Sequence, residues 1–159
     1  MRIRRTSWLP LAALCLAAAG GCARRAESAA DHAVVAAARR YNEALPQAYA
    51  RGSAALLGEA ATPDEMVRVD DLISFLTQGK LVMDARQESF RPGSVHHLDA
   101  KRAELDAEEV WWYRHWNPAT GEVKQPGRRV RYRNRYSLLL VGKTWLVDRL
   151  KELGYEQLK

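Results

Sequence analysis

Cysteine is nearly absent from this chain: Cys15 and Cys22 are the two examples in 159 residues. Disulfide-stapled miniproteins and thiolate metal centres need several cysteines at defined spacings, so both are excluded. The chain also lacks an uncharged apolar run long enough to cross a bilayer as a settled helix, which takes about 20 residues. No Gly-rich phosphate loop is present, and no serine stands in a nucleophile-elbow pattern. With 47% hydrophobic and 28% charged residues, the chain is too apolar to be disordered and has the composition of a folded domain. Its length suits one such domain.

The first 22 residues read MRIRRTSWLPLAALCLAAAGGC. Arg2, Arg4 and Arg5 form a basic segment, Trp8 to Ala19 an apolar one, and small residues follow, which is the three-part pattern of a secretory signal. Ala19-Gly20-Gly21-Cys22 resembles the lipobox of bacterial lipoproteins, with Ala19 where Leu is usual. That resemblance implies cleavage before Cys22 and a diacylglycerol on its sulfur. The competing reading is ordinary cleavage after Ala17-Ala18-Ala19, leaving a soluble periplasmic protein with a stray thiol. The lipoprotein resemblance further implies, from Ala23 rather than Asp after the cysteine, sorting to the outer membrane, facing the periplasm. Loss of residues 1–21 removes Cys15 and takes the formal charge from +6 to +3, so much of the basicity belongs to the signal. Residues 22–30 then form a lipidated N-terminus and tether, and 31–159 the folded domain.

Ser28 and Asp31 stand in a capping-box arrangement. Val34, Ala38, Tyr41, Leu45 and Ala48 follow at helical spacing, with Arg39, Arg40, Asn42 and Glu43 assigned to the solvent side. Pro46 is expected to kink or break this helix, and Gly52 to end it. A short second helix is expected to start at Ser53. A third runs from the Thr62-Pro63-Asp64-Glu65 start signal, with the stripe Met66, Val69, Ile73 and Leu76, to Gly79.

Beyond Gly79 the pattern becomes that of strands. Arg91-Pro92-Gly93-Ser94 and Pro126-Gly127 read as turns, and Val110 to Trp116 as an aromatic-rich strand. Val130 to Val141 and Thr144 to Leu150 form a hairpin about Gly142-Lys143. Pairing Val141 with Thr144 sets Leu140 against Trp145, Leu138 against Val147 and Tyr136 against Arg149. Alternation then puts Tyr132, Tyr136, Leu138, Leu140, Trp145 and Val147 on one face and Arg129, Arg131, Arg133 and Arg135 on the other. An α+β fold follows, with N-terminal helices covering the apolar face of a curved antiparallel sheet.

This layout, ending in Leu-Leu-Leu-Val-Gly-Lys-Thr-Trp-Leu-Val, resembles the NTF2-like superfamily over roughly residues 31–150. The resemblance implies a cone-shaped fold whose members include isomerases, dehydratases and non-enzymatic binding or scaffold domains. The leading expectation is a membrane-anchored envelope lipoprotein with a non-enzymatic ligand- or protein-binding or assembly role. The alternative is an isomerase- or dehydratase-type enzyme with an acid/base residue in the cone.

Trp111, Trp112, Trp116, Tyr132, Tyr136 and Trp145 are candidate core or pocket aromatics. Asp99, His115 and Asp148 are acid/base candidates by residue type alone. His96 and His97 are adjacent on a strand and so point to opposite faces, which argues against one shared ion. No metal and no cofactor is expected. The arginine strand, beginning at Arg128, is either a solvated face neutralised by Glu104, Asp106, Glu108 and Glu109, or a contact for anionic envelope material. Export argues against nucleic acid; the partners expected are the membrane, through the N-terminal lipid, and a protein or small apolar ligand. Replacing Cys22 with Ala is expected to abolish incorporation of labelled fatty acid and to leave the protein soluble or unprocessed. Incorporation that survives the substitution contradicts the lipobox reading.

Overall fold

Apolar residues recur every third or fourth position after Ser28, and the first helix, α1 (Ala29–Arg51), buries that stripe: Val34, Ala38, Tyr41, Leu45 and Ala48 all lie in the core. The computed structural model describes residues 28–159; the segment read as a signal peptide, Cys22 and most of the segment read as a tether lie outside them, while Ala29 and Ala30, read as the end of that tether, open α1 because Ser28 caps it. Ser28 Oγ accepts from Asp31 N at 3.1 Å, and the Asp31 carboxylate accepts from Ser28 N at 3.0 Å, closing the capping box. The expected break at Pro46 does not occur. Proline removes one backbone donor there, but buried Leu45 and Ala48 carry the stripe across it, and packing outweighs the lost bond.

A single 3-10 turn (Ala54–Leu57) leads to α2 (Pro63–Gln78), which buries Val69, Ile73 and Leu76. Thr62 caps α2 as its sequence indicates. Glu65, however, does not reach back to the cap: its carboxylate turns inward to accept from Tyr41 OH at 2.8 Å and pairs with Arg68 at 3.2 Å.

Four long strands follow in a meander: β1 (Val82–His97), β2 (Arg102–Trp116), β3 (Val123–Val141) and β4 (Thr144–Leu158), all antiparallel and in spatial order β1-β2-β3-β4. Two expected turns lie inside these strands. Pro92 and Gly93 fall at a register shift in β1, an edge strand, where a missing N–H is tolerated. Pro126-Gly127 falls at a register shift between β2 and β3. Gly127 is required by packing, since a Cβ there would lie 2.6 Å from the Trp112 ring. Such bulges bend and twist their strands, and together they curve the sheet around the helices.

The β3–β4 hairpin turns at Gly142, whose φ of 62° belongs to the left-handed region. Val141 pairs with Thr144, Leu140 with Trp145 and Leu138 with Val147, as expected. The register then slips by one residue at Asp148, so Tyr136 faces Leu150 rather than Arg149. The bulge serves the helix layer: Asp148 Oδ1 accepts from Thr62 Oγ1 at 2.9 Å, and Val147 exchanges backbone bonds with Ala60 and Thr62.

The result is an α+β fold with helices on the concave face of an open, curved antiparallel sheet. Its core joins α1 and α2 to Leu105, Tyr136, Leu138, Trp145 and Val147. Trp145→Ala is expected to cost roughly 3–5 kcal/mol, a large part of the ~5–15 kcal/mol typical of a domain. An unchanged melting midpoint contradicts the buried placement.

Candidate functional site

Alternation along β2 directs Leu105, Ala107, Glu109, Trp111, Tyr113 and His115 to the concave face, because their neighbours on β3, Tyr136, Asn134, Tyr132 and Val130, face the helices. Glu109 is therefore not on the arginine face, where the sequence reading placed it as a counter-charge. It is 1% exposed. An ionised carboxylate in such a place needs donors all round, and five side chains supply them. Trp111 Nε1 donates at 2.6 Å, Gln87 Nε2 at 3.1 Å, Asn134 Nδ2 at 3.1 Å and Asn42 Nδ2 at 3.5 Å, and the Tyr136 hydroxyl completes the set.

Asn42 also departs from the solvent face assigned to it. Its side chain is buried, and its amide makes close contacts with the Tyr136 hydroxyl, 2.8 Å from Nδ2 and 3.0 Å from Oδ1, tying α1 to β3. A second polar contact, Tyr41 to Glu65, ties α1 to α2. Burial raises the Glu65 carboxyl above its usual value, opposed by its bonds to Tyr41 and Arg68. Burial first, and then the Glu109 charge, pushes the Tyr136 phenol well above its usual value.

Beside this cluster the sheet curls past the end of α1 and leaves a pocket of about 380 Å³. Leu45, Tyr49, Leu72, Met83, Ala85 and Leu150 supply hydrocarbon and ring surface, Trp111, Tyr113 and Tyr132 supply further aromatic rings, and Asn134, His115 and Glu152 supply polar groups. Tyr113 and Tyr132 join hydroxyls at 3.0 Å, and the Tyr132 and Tyr155 rings lie 6.3 Å apart. Arg128 also lies on the concave side, 4.7 Å over the Tyr113 ring.

The other sequence candidates divide by strand face. Tyr136 and Trp145 are core, whereas Tyr132 lines the pocket. Trp112 and Trp116 fall on the outer face, one residue out of phase with Trp111. Trp112 lies under Arg86 and Arg114, 5.0 and 6.0 Å from its ring, and Trp116 Nε1 donates to Asp84 at 3.1 Å. Of the acid/base candidates, His115 lines the pocket and bonds the Gln125 side chain. Asp99 sits in the β1–β2 turn against Arg102, and Asp148 is held by Thr62. His97 reaches Asp31 at 2.9 Å and His96 reaches Ser94 at 3.0 Å. Among the described residues no group of three or more His, Cys, Asp or Glu is arranged to hold a metal, and no helix is long and apolar enough to cross a membrane.

The outer face carries the arginines in a ladder of cross-strand pairs. Arg129 meets Glu88 at 2.6 Å, Arg131 meets Glu156 at 3.0 Å, and Arg135 grips Asp106 in a two-pronged contact at 2.7 and 3.0 Å with Glu104 at 3.5 Å. Arg135 holds the Asp106 carboxyl below its ordinary value. The Arg133 guanidinium lies over Gly154.

No protein-family model and no curated protein sequence matches the chain. Among solved structures it is similar to the intermembrane space region of the chloroplast protein ARC6, at 16% identity and a TM-score of 0.66, covering 75% of this chain and 92% of that one. It is also similar to a ketosteroid isomerase-like protein from Erwinia carotovora atroseptica, at 14% identity and a TM-score of 0.47 over 77% and 95% of the two chains. A putative scytalone dehydratase from Novosphingobium aromaticivorans aligns at 12% identity and a TM-score of 0.41 over 80% and 87%. At these identities the likeness is one of fold.

The Glu109 cluster yields a stability test. Glu109→Leu removes the shared acceptor, and each donor left buried without a partner costs about 1–3 kcal/mol. The variant is expected to lose several kcal/mol in a denaturant titration, with Glu109→Gln losing less. A Leu variant as stable as the parent contradicts the assignment.

Proposed function

We propose that the domain is a non-enzymatic binding module whose concave-face pocket takes a small apolar ligand, held at the outer membrane and facing the periplasm by lipid on Cys22. The observation that supports it best is the saturation of Glu109. A general base needs a free lone pair within reach of the reacting proton, and this carboxylate spends its oxygens on five protein donors. The pocket beside it offers mainly hydrocarbon and aromatic rings, the usual lining of a site for an apolar molecule. The signal-and-cysteine pattern at Ala19-Gly20-Gly21-Cys22 supports the anchor.

A second reading, an isomerase- or dehydratase-type enzyme, rests on His115, the acid/base candidate that lines the pocket. The first test is whether the pocket binds an apolar molecule at all and whether His115 takes part in that binding. Titrating the full chain with the neutral fluorophore N-phenyl-1-naphthylamine is expected to give saturable one-site binding. Ala85→Trp, which fills the pocket, is expected to abolish it, and His115→Gln to leave it unchanged. No saturable binding by the parent, or equal binding by the Ala85→Trp variant, contradicts the proposal.

A further inference from the structure

The two ends of the cone differ in character. At one end lie the start of α1, the β1–β2 turn and the β3–β4 turn. Three contacts bring them together: His97 Nε2 to Asp31 Oδ1 at 2.9 Å, the His97 ring against the Trp145 ring at 6.0 Å, and Leu140 N to Lys101 O at 2.8 Å. The tips of both turns project an apolar side chain: Leu98 is 57% exposed and Val141 53%. Lys101, Arg102 and Lys143 stand beside them, exposed; the acids at this end are paired, Asp99 with Arg102, Asp31 with His97 and Glu104 with Arg135. A groove between the turns is lined by Asp99 to Arg102 and by Leu139, Leu140 and Val141. The pocket lies at the opposite end, next to Tyr49 near the close of α1. At about 1.5 Å per residue, Asp31 to Tyr49 spans roughly 27 Å.

From this layout we infer that the turn end rests on an anionic lipid surface, with Leu98 and Val141 in the headgroup layer and Lys101 and Lys143 against the phosphates, so that the pocket opens away from the bilayer. The inference rests on the proposed anchoring at Cys22. Five residues separate Cys22 from Ser28, and at about 3.5 Å per residue the span reaches no more than roughly 20 Å. That is shorter than the distance from the start of α1 to the pocket end, so an inverted domain would hold Ser28 farther from the bilayer than the tether reaches. The tether itself adds Arg24 and Arg25 against Glu27, the same sign of charge as the turns. Basic residues close to an anionic leaflet are attracted within about a Debye length of it, and apolar side chains at such a site enter the headgroup boundary. Phe75, 71% exposed near the close of α2, and Tyr155, 69% exposed opposite Tyr132, lie toward the pocket end.

The test uses the full lipoprotein in vesicles of phosphatidylethanolamine and phosphatidylglycerol that carry a lipid-borne quencher. Mass spectrometry first shows whether Cys22 carries lipid. Val141→Cys and Phe75→Cys variants are each labelled with an environment-sensitive fluorophore. Label at 141 is expected to be quenched several-fold more strongly than label at 75, and Lys101→Glu with Lys143→Glu to weaken quenching at 141. A free thiol at Cys22 overturns the anchor and the orientation together. A lipidated protein whose label at 75 is quenched as strongly as that at 141 overturns the orientation alone. Quenching at 141 that ignores the charge reversal overturns the role given to the lysines.

Discussion

A carboxylate enclosed by hydrocarbon has to be surrounded by donors, and the folding of this domain is organised around satisfying one. Glu109 stands on the concave face of β2 because its neighbours at two-residue spacing, Ala107 and Trp111, also face the helices. Its five donors come from four elements: Asn42 on α1, Gln87 on β1, Trp111 on β2, and Asn134 and Tyr136 on β3. Hydrophobic burial drives helices against a sheet with little preference for direction or register. A shared acceptor is selective: sliding α1 by one turn or shifting β2 by one residue would leave several buried polar groups unpaired. Tyr41 with Glu65 repeats the device between the two helices, and Thr62 with Asp148 repeats it between helix and sheet.

The same alternation that turns Glu109 inward leaves most other charged residues of the two central strands on the outer face, Arg128 excepted, and joins several of them in pairs. Arg129, Arg131 and Arg135 spend their charge on Glu88, Glu156 and Asp106, so the feature most conspicuous in the sequence becomes a largely neutralised surface. Exposed apolar side chains stand at the two turn tips, Leu98 and Val141, and toward the pocket end, Leu72 and Tyr155, with others such as Val67 scattered singly. The proposed arrangement, anchored by lipid at the turn end with the pocket at the other, is built on the apolar residues at those two ends.

Much of the architecture is legible in the sequence because it follows from local periodicity and turn chemistry. The α1 stripe, both helix N-caps, the Gly142 hairpin and the apolar face of β3 and β4 all follow from spacing alone. The differences arise where a residue's partner is distant. Pro92 and Pro126 read as turns, yet curvature needed bulges at those places, and long strands absorb them. Asn42 and Glu109 read as surface because they are polar; their burial depends on each other and on Tyr136, 94 residues from Asn42. Strict alternation from Leu105 to Trp111 was the available signal for Glu109. Trp112 and Trp116 could be told from Trp111 only by the phase of that same strand. The pocket has no local signature, since it is the space left where the sheet outruns the helices.

The central claim is that a polar lock between α1 and the sheet, centred on Glu109 and Tyr136, fixes how the helix docks. A double-mutant cycle on Asn42→Ala and Tyr136→Phe, read by chemical denaturation, tests it directly, because the two residues meet across that interface at 2.8 Å. Contacting residues in one hydrogen-bond network are coupled by about 0.5–3 kcal/mol. The account predicts a coupling inside that range, with the double variant less destabilised than the two single variants combined. Simple additivity would contradict it.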